Sequence, residues 1–401
     1  MCPNLPRPFG GINKFKNLRQ KGGVNSHIEL CRLSDSITQV LIKGVKMAKD
    51  LSQLLRDIVQ KGASDLHLGA GTVPHMRLDG NLMPADNTTL DSVSVKNLVY
   101  SILTDDQKAK LERDKELDFA FTIEGISRFR VNVFFQRGWL GAAIRALPFK
   151  IMNFEECGLP AGIVQDFCKR QKGLVLVTGA TGSGKSTSLA SMIDYINTNR
   201  DCHIITVEDP IEYVHSNKKS IIDQREIGSD THSFSQALRH ILREDPDVIL
   251  IGEMRDLETI EAALVIAETG HLVFATLHTS DSAQTINRVI DVFPSRQQAQ
   301  VRTQLSFVLT GVLSQQLLQR KSGKGRVLAV EVLVANHAAK SLIRESKIHQ
   351  LYSVIQTGQK DDMQTMNQAL FDLCKKGDIS EEEALASTTE VQDLERMLKG
   401  K

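Results

Sequence analysis

Between Asp50 and Lys61 the apolar residues Leu51, Leu54, Leu55, Ile58 and Val59 recur at i, i+3, i+4, i+7 and i+8. That spacing predicts an amphipathic helix with one face laid on a sheet. Short strands are expected at 64–68 and 75–78, the second running into an Asp79-Gly80 hairpin turn. Helical stretches follow near 92–103 and 105–114. The period then changes to two: Leu117, Phe119, Phe121 and Ile123 share one face and, after Glu124-Gly125, so do Phe129, Val131, Val133 and Phe135. An antiparallel sheet with flanking helices fits, and makes residues 47–147 an α+β unit.

The prolines from Leu147-Pro148 to Leu159-Pro160 mark a linker at 148–160. Beyond it, after a short helix at 162–169, strands alternate with helices: apolar 174–177, strand 204–207, helix 233–243, strand 248–251, helix 257–268 and strand 272–276. Such βαβ alternation predicts a mainly parallel sheet over 161–335, with its ligand site at the carboxyl ends of the strands. Helices are expected at 304–319, 338–355, 364–376 and 380–386, so that 336–401 is a helical region.

The polar residues gain meaning from where these strands end. Residues 173–187 read GLVLVTGATGSGKST, and Gly179, Ala180, Thr181, Gly182, Ser183, Gly184, Lys185, Ser186 and Thr187 fit the phosphate-binding loop G-x-x-x-x-G-K-[ST] and its flank. A nucleotide's phosphates are held by backbone N–H groups, and glycine lets the chain curl closely enough to aim several at one anion. Lys185 adds a point charge, and Ser186 opens a helix whose positive end adds to the field while its hydroxyl offers a ligand to Mg²⁺. After strand 204–207 comes Glu208-Asp209-Pro210-Ile211-Glu212, a carboxylate cluster that repels itself unless it holds a cation or water. After strand 248–251 comes Glu253, the place where phosphate-loop enzymes set an acid beside Mg²⁺. His278 ends the next strand, beside the loop. On the second strand of the α+β unit, Arg128, Arg130 and Asn132 share the polar face, with Arg137 and Arg145 beyond. The pattern fits either a solvated face or guanidiniums that reach phosphate across a domain or subunit boundary.

Composition narrows the partners. At 401 residues, 41% hydrophobic and 24% charged, the chain is that of a globular protein with room for two or more cores. No apolar run approaches the roughly 20 residues of a membrane-spanning helix, so any membrane contact is expected to be peripheral. Residues 1–46 hold eight Lys/Arg against Glu29 and Asp35; that surplus of six, within a total of +1, leaves −5 on the rest. The body is therefore no basic nucleic-acid binder, and aromatics, at 5%, are too few for base-stacking platforms. The first 46 residues lack a signal peptide and read as a disordered extension, with Met47 an alternative natural start. Six scattered cysteines without a C-x-x-C pair suggest a reducing cytoplasm.

With these residues assembled, the chain resembles the secretion-type AAA-like ATPases, and within them the type IV pilus retraction motors. The resemblance rests on Gly179 to Ser186, the acidic box Glu208 to Glu212, LREDPDVILIGEMRD at Leu242 to Asp256, and the histidine box His271 to His278; it runs from Met47 to about Gly377. It implies a homohexamer of subunits with a PAS-like N-terminal domain and a RecA-like ATPase core. ATP and Mg²⁺ would bind between the two, and domain rotation would drive the pilus machine from the cytoplasmic face of the inner membrane. The partner implied is the pilus's inner-membrane platform protein, with no nucleic acid. Lys185 and Ser186 would hold phosphate and Mg²⁺, Glu253 would be the Walker B acid, and Glu212 would activate water in preference to Glu208. Arg130 and Arg145 match the γ-phosphate arginines, and His278 the sensing histidine. In the retraction motors one helix reads Ala-Ile-Arg-Asn-Leu-Ile-Arg-Glu; Ala338 to Glu345 here reads AAKSLIRE, differing at Ala339, Lys340 and Ser341. The tetracysteine module of pilus-extension and type II secretion motors has no counterpart. Two rivals remain on the residues alone: a nucleic-acid translocase, and a regulatory partner that does not hydrolyse ATP.

Overall fold

The structure, a computed structural model, describes residues 50–78, 80–147 and 150–400. The expectations for residues 1–46, and those that rest on Asp79 and Pro148, lie outside that set. Two sheets organise the rest. The first is wholly antiparallel, in the order β3-β2-β1-β6-β5-β4, from β1 (Asp65–Gly69), β2 (His75–Leu78), β3 (Asn81–Pro84), β4 (Glu116–Ile123), β5 (Ser127–Gln136) and β6 (Trp139–Ala146). The period-two pattern puts Phe129, Val131 and Val133 of β5 into a core closed by Leu51, Leu54, Leu55 and Ile58 of the helix Leu51–Gln60. Asp50 caps that helix by accepting the Gln53 N–H at 2.7 Å. Because those apolar side chains turn inward, Arg128, Arg130 and Asn132 are left together on the opposite face.

The second sheet runs β13-β12-β7-β11-β10-β8-β9. It comprises β7 (Gly173–Thr178), β8 (His203–Glu208), β9 (Ile221–Glu226), β10 (Val248–Ile251), β11 (Leu272–Leu277), β12 (Leu309–Gln319) and β13 (Arg326–Val334). All neighbours are parallel except β12 and β13. Helices cover both faces, so β7 is buried along its whole length: Leu174 and Leu176 enter one core, Val175 and Val177 the other. The architecture is the α/β, parallel-rich P-loop type with a smaller α+β part and C-terminal helices.

One expected element is different. Residues 304–319 are not one helix: the helix Ser295–Val308 ends and β12 starts at once at Leu309, beside β7. Leu305, Val308, Leu309, Val312 and Leu313 satisfy a helical spacing, and tertiary pairing overrides it. Residues 338–355 are likewise divided, into His337–Arg344, a short 3-10 turn and Leu351–Thr357.

β12 tolerates its position only because Gly311 lacks a side chain. A Cβ there would lie 2.3 Å from the Phe167 ring and 2.9 Å from the Leu333 carbonyl oxygen. Gly311→Ala is expected to destabilise the fold by about 1–3 kcal/mol through overpacking, measured as a lowered urea midpoint; an unchanged midpoint would show that Phe167 moves aside freely.

Candidate nucleotide site

The parallel sheet delivers its chemistry along one edge in a fixed order. The phosphate loop follows β7, His278 follows β11, Glu253 lies just past β10, Glu208 to Glu212 follow β8, and Glu226 ends β9. Neighbouring strand ends are about 5 Å apart, so the order alone brings these groups into one row.

The loop itself needs glycine. Gly182 and Gly184 have φ of 81° and 92°, and a Cβ on Gly179 would sit 2.4 Å from the Gln315 carbonyl oxygen and 2.5 Å from Ser183 Oγ. Gly184 opens the helix Lys185–Asn199 with no side-chain cap, leaving its first N–H groups directed at the loop. Ser183 Oγ is buried without a partner among the described residues, and Ser186 is exposed at the helix start. Lys185 is buried, and its Nζ donates to the carbonyl oxygens of Gly179 at 2.8 Å and Ala180 at 3.0 Å. Burial lowers its pKa below the ordinary lysine value, against the negative charges of Glu253 and Glu212, which raise it. A desolvated cation, unsatisfied hydroxyl and uncapped helix start on a glycine cradle fit a nucleotide's phosphates. Ser186 with Glu253 fits Mg²⁺ held partly through water.

Around the cradle, Glu253 Oε1 accepts from Arg255 Nε at 2.5 Å and lies 3.2 Å from His278 Nε2. Burial pushes the Glu253 carboxyl up, but Arg255 and His278 outweigh it and hold the pKa below the usual value. Glu208 goes the other way. Burial drives its pKa up to about 7, although Thr206 Oγ1 donates to it at 2.7 Å and Gln224 Nε2 at 3.3 Å, and the charge of Glu212 adds to the rise. Glu212 is half-buried between Ile211 and Tyr213, both buried, and the Tyr213 hydroxyl is 2.9 Å from Thr187 Oγ1.

Arg130 and Arg145 are cross-strand neighbours on β5 and β6. Arg145 Nε donates to Asp65 Oδ1 at 2.8 Å, Arg130 is exposed, and neither bonds to the phosphate loop among the described residues. Sequence reasoning missed Arg255, Tyr213 and Glu226. It also missed Arg326, whose Nη1 donates to the Gly182 carbonyl oxygen at 3.5 Å. Arg255 lies within the long signature and was findable; the other three carry no local signal.

A phosphate cradle on this parallel-rich, RecA-like sheet, with acids and a histidine at the adjoining strand ends, makes the molecule a P-loop ATPase. Residues 43–386 match the family model described as Type II/IV secretion system protein, and the chain belongs to that family. It is 50% identical to the "Type IV pilus retractation ATPase PilT" of Pseudomonas aeruginosa over 335 residues, 84% of this chain and 97% of that one. It is 47% identical to the "Twitching motility protein" of Neisseria gonorrhoeae over 334 residues, 83% and 89% of the two chains. A structure titled "Crystal Structure of the Pilus Retraction Motor PilT and Bound ADP" superposes with a TM-score of 0.82 at 51% identity, covering 87% of this chain and all of that one. Among the described residues, no helix is long and apolar enough to cross a membrane.

The raised pKa of Glu208 has a definite sign. In the folded chain this carboxyl keeps its proton to about 7, whereas unfolding returns it to 4.5. Its stabilising contribution is complete below the unfolded value and is lost as pH rises through the folded one. Glu208→Gln is neutral throughout, so it is expected to be more stable than the parent by up to about 3 kcal/mol near pH 8, with the difference vanishing near pH 4.5. Urea titrations at the two pH values measure this; an equal difference at both would contradict it.

Proposed function

We propose that this chain is the ATPase motor that powers type IV pilus retraction, working as a homohexamer at the cytoplasmic face of the inner membrane. Its membrane contact in this reading is peripheral, through the pilus's inner-membrane platform protein. The observation that carries the ATPase chemistry is the buried Lys185 ammonium faced by the charges of Glu253 and Glu212. The retraction role is supported by the 50% identity to the retraction ATPase, over nearly all of that relative's length.

In this reading residues 47–147 form the PAS-like lobe, 148–160 the linker, 161–335 the ATPase core and 336–401 the helical appendage. Gly179 to Thr187 cradle the phosphates, and Lys185 exchanges its two loop carbonyls for them. Mg²⁺, when bound, would supply charge that neutralises the phosphate oxygens, and Ser186 and Glu253 would hold it. Glu212 orients the attacking water and takes up its proton, from a backbone fixed by its buried neighbours. Arg130 and Arg145 meet the γ-phosphate when the antiparallel sheet swings toward a loop, and Arg145 then leaves Asp65. His278, in contact with Glu253, registers whether that phosphate is present.

The departures in the AAKSLIRE helix leave its fold intact. Asn336 caps it by accepting the Ala339 N–H at 3.0 Å, Ala339 and Ile343 are buried, and Ser341 Oγ donates to Glu345 at 2.8 Å. Leu342, Ile343, Arg344 and Glu345 keep the motif's second half.

Glu212→Gln is expected to retain ATP binding within about threefold while turnover falls by at least about a hundredfold, the loss typical of removing a general base. A strain carrying only that variant should bear many pili and show no surface movement. Bald cells would instead indicate pilus extension, and undiminished turnover would move the base to Glu208 or Glu253.

A further inference from the structure

Among the described residues, the two sheets are linked by an ion pair absent from the chemistry above. Arg128 Nη2, on β5 of the antiparallel sheet, donates to Glu226 Oε2 at 2.5 Å, at the carboxyl end of β9 in the parallel sheet. Both side chains are largely buried, with 19% and 10% of their surface exposed. The same oxygen, Glu226 Oε2, accepts the Ile211 backbone N–H at 3.1 Å. Glu226 is held from behind, since its own N–H donates to Asp230 Oδ2 at 2.8 Å. On the other side of Glu212, the Tyr213 carbonyl oxygen accepts from Gln224 Nε2 at 2.8 Å. Glu212 therefore projects from a backbone pinned at the residue before and the residue after. The first pin shares its acceptor atom with a guanidinium from the other sheet. Glu226 supplies the counter-charge of this arginine, whose Nε is buried without a partner among the described residues.

We propose that Arg128 and Glu226 are positioning residues: through the shared Glu226 oxygen, the placement of the N-terminal sheet sets the backbone at Ile211 and hence where the Glu212 carboxylate points. When the sheet is docked, Arg128 fixes the Glu226 carboxylate in the rotamer that accepts from Ile211. When the sheet swings away, Glu226 faces a buried site without its counter-charge, turns toward solvent and releases the Ile211 N–H. Lobe movement and water activation are thus coupled inside a single chain. The inference rests on the assignment of Glu212 as the base.

The test uses the full-length chain, steady-state Mg-ATP hydrolysis, and binding of a fluorescent ATP analogue. Arg128→Gln is expected to lower kcat about tenfold, while KM and analogue affinity stay within about twofold, because displacing a reacting group by a fraction of an ångström affects turnover more than binding. A purely structural ion pair is separated from a relay by the exchange Arg128→Glu with Glu226→Arg. Exchange restores the salt bridge and the thermal midpoint, but arginine offers no acceptor to the Ile211 N–H, so kcat should remain low. Recovery of kcat in the exchange variant, or kcat within twofold of the parent in Arg128→Gln, would overturn the proposal. If Arg128→Gln loses its circular-dichroism signature, Arg128→Lys carries the same test, with kcat reduced about threefold at unchanged KM expected and unchanged kcat contradicting. Glu212→Gln in the same assay separates the two failures: normal turnover there removes the base assignment, whereas an inactive Glu212→Gln beside a fully active Arg128→Gln removes the relay alone.

Discussion

A lysine ammonium withdrawn from water is the feature on which the site depends. Lys185 reaches the loop from the first turn of its helix and is satisfied by the Gly179 and Ala180 carbonyl oxygens. Neutral dipoles compensate a buried cation only in part, and the negative charges of Glu253 and Glu212, from strand ends across the sheet edge, favour the ammonium without fully offsetting its burial. An anion arriving among the loop N–H groups therefore meets a cation already oriented and already desolvated, where electrostatic interaction is stronger than in water.

The parallel sheet makes that possible. Because β7, β11, β10 and β8 are adjacent and parallel, their carboxyl ends bring loop, histidine and both acids to one edge with no long loop between them. Complete burial of β7 holds the cradle's base rigid, while the antiparallel sheet contributes its arginine-bearing face from outside that core. The opposite tuning of the two acids follows from their surroundings. Arg255 and His278 keep Glu253 ionised, whereas burial holds a proton on Glu208 to about 7. The two carboxyls thus have distinct protonation habits, and Glu208 is the weaker candidate for a permanently charged partner.

Much of this was legible in the sequence, where local chemistry and fold agree. The glycines and lysine of 179–186, the period-two run of β5 and the apolar strand before Glu253 each state their structure directly. β12 escapes the sequence pattern because Leu305, Val308, Leu309, Val312 and Leu313 fit the helical period, and its pairing with β7 is decided by residues more than a hundred positions away. β3, β6, β9 and β13 have no counterpart in the pattern reading, and with β9 the place of Glu226 was hidden. The arginines of β5 and β6 were visible in the sequence, but their separate tasks were not. Arg128 turns to Glu226 and Arg145 to Asp65 while Arg130 stays exposed, a division made by tertiary contact alone.

A crystal structure of the chain with Mg²⁺ and a non-hydrolysable ATP analogue should place Lys185 Nζ within about 3 Å of a β- or γ-phosphate oxygen, detached from the Gly179 and Ala180 carbonyls, with Glu212 and Glu253 turned toward the terminal phosphate. A nucleotide bound elsewhere, with Lys185 still on those carbonyls, would contradict this arrangement.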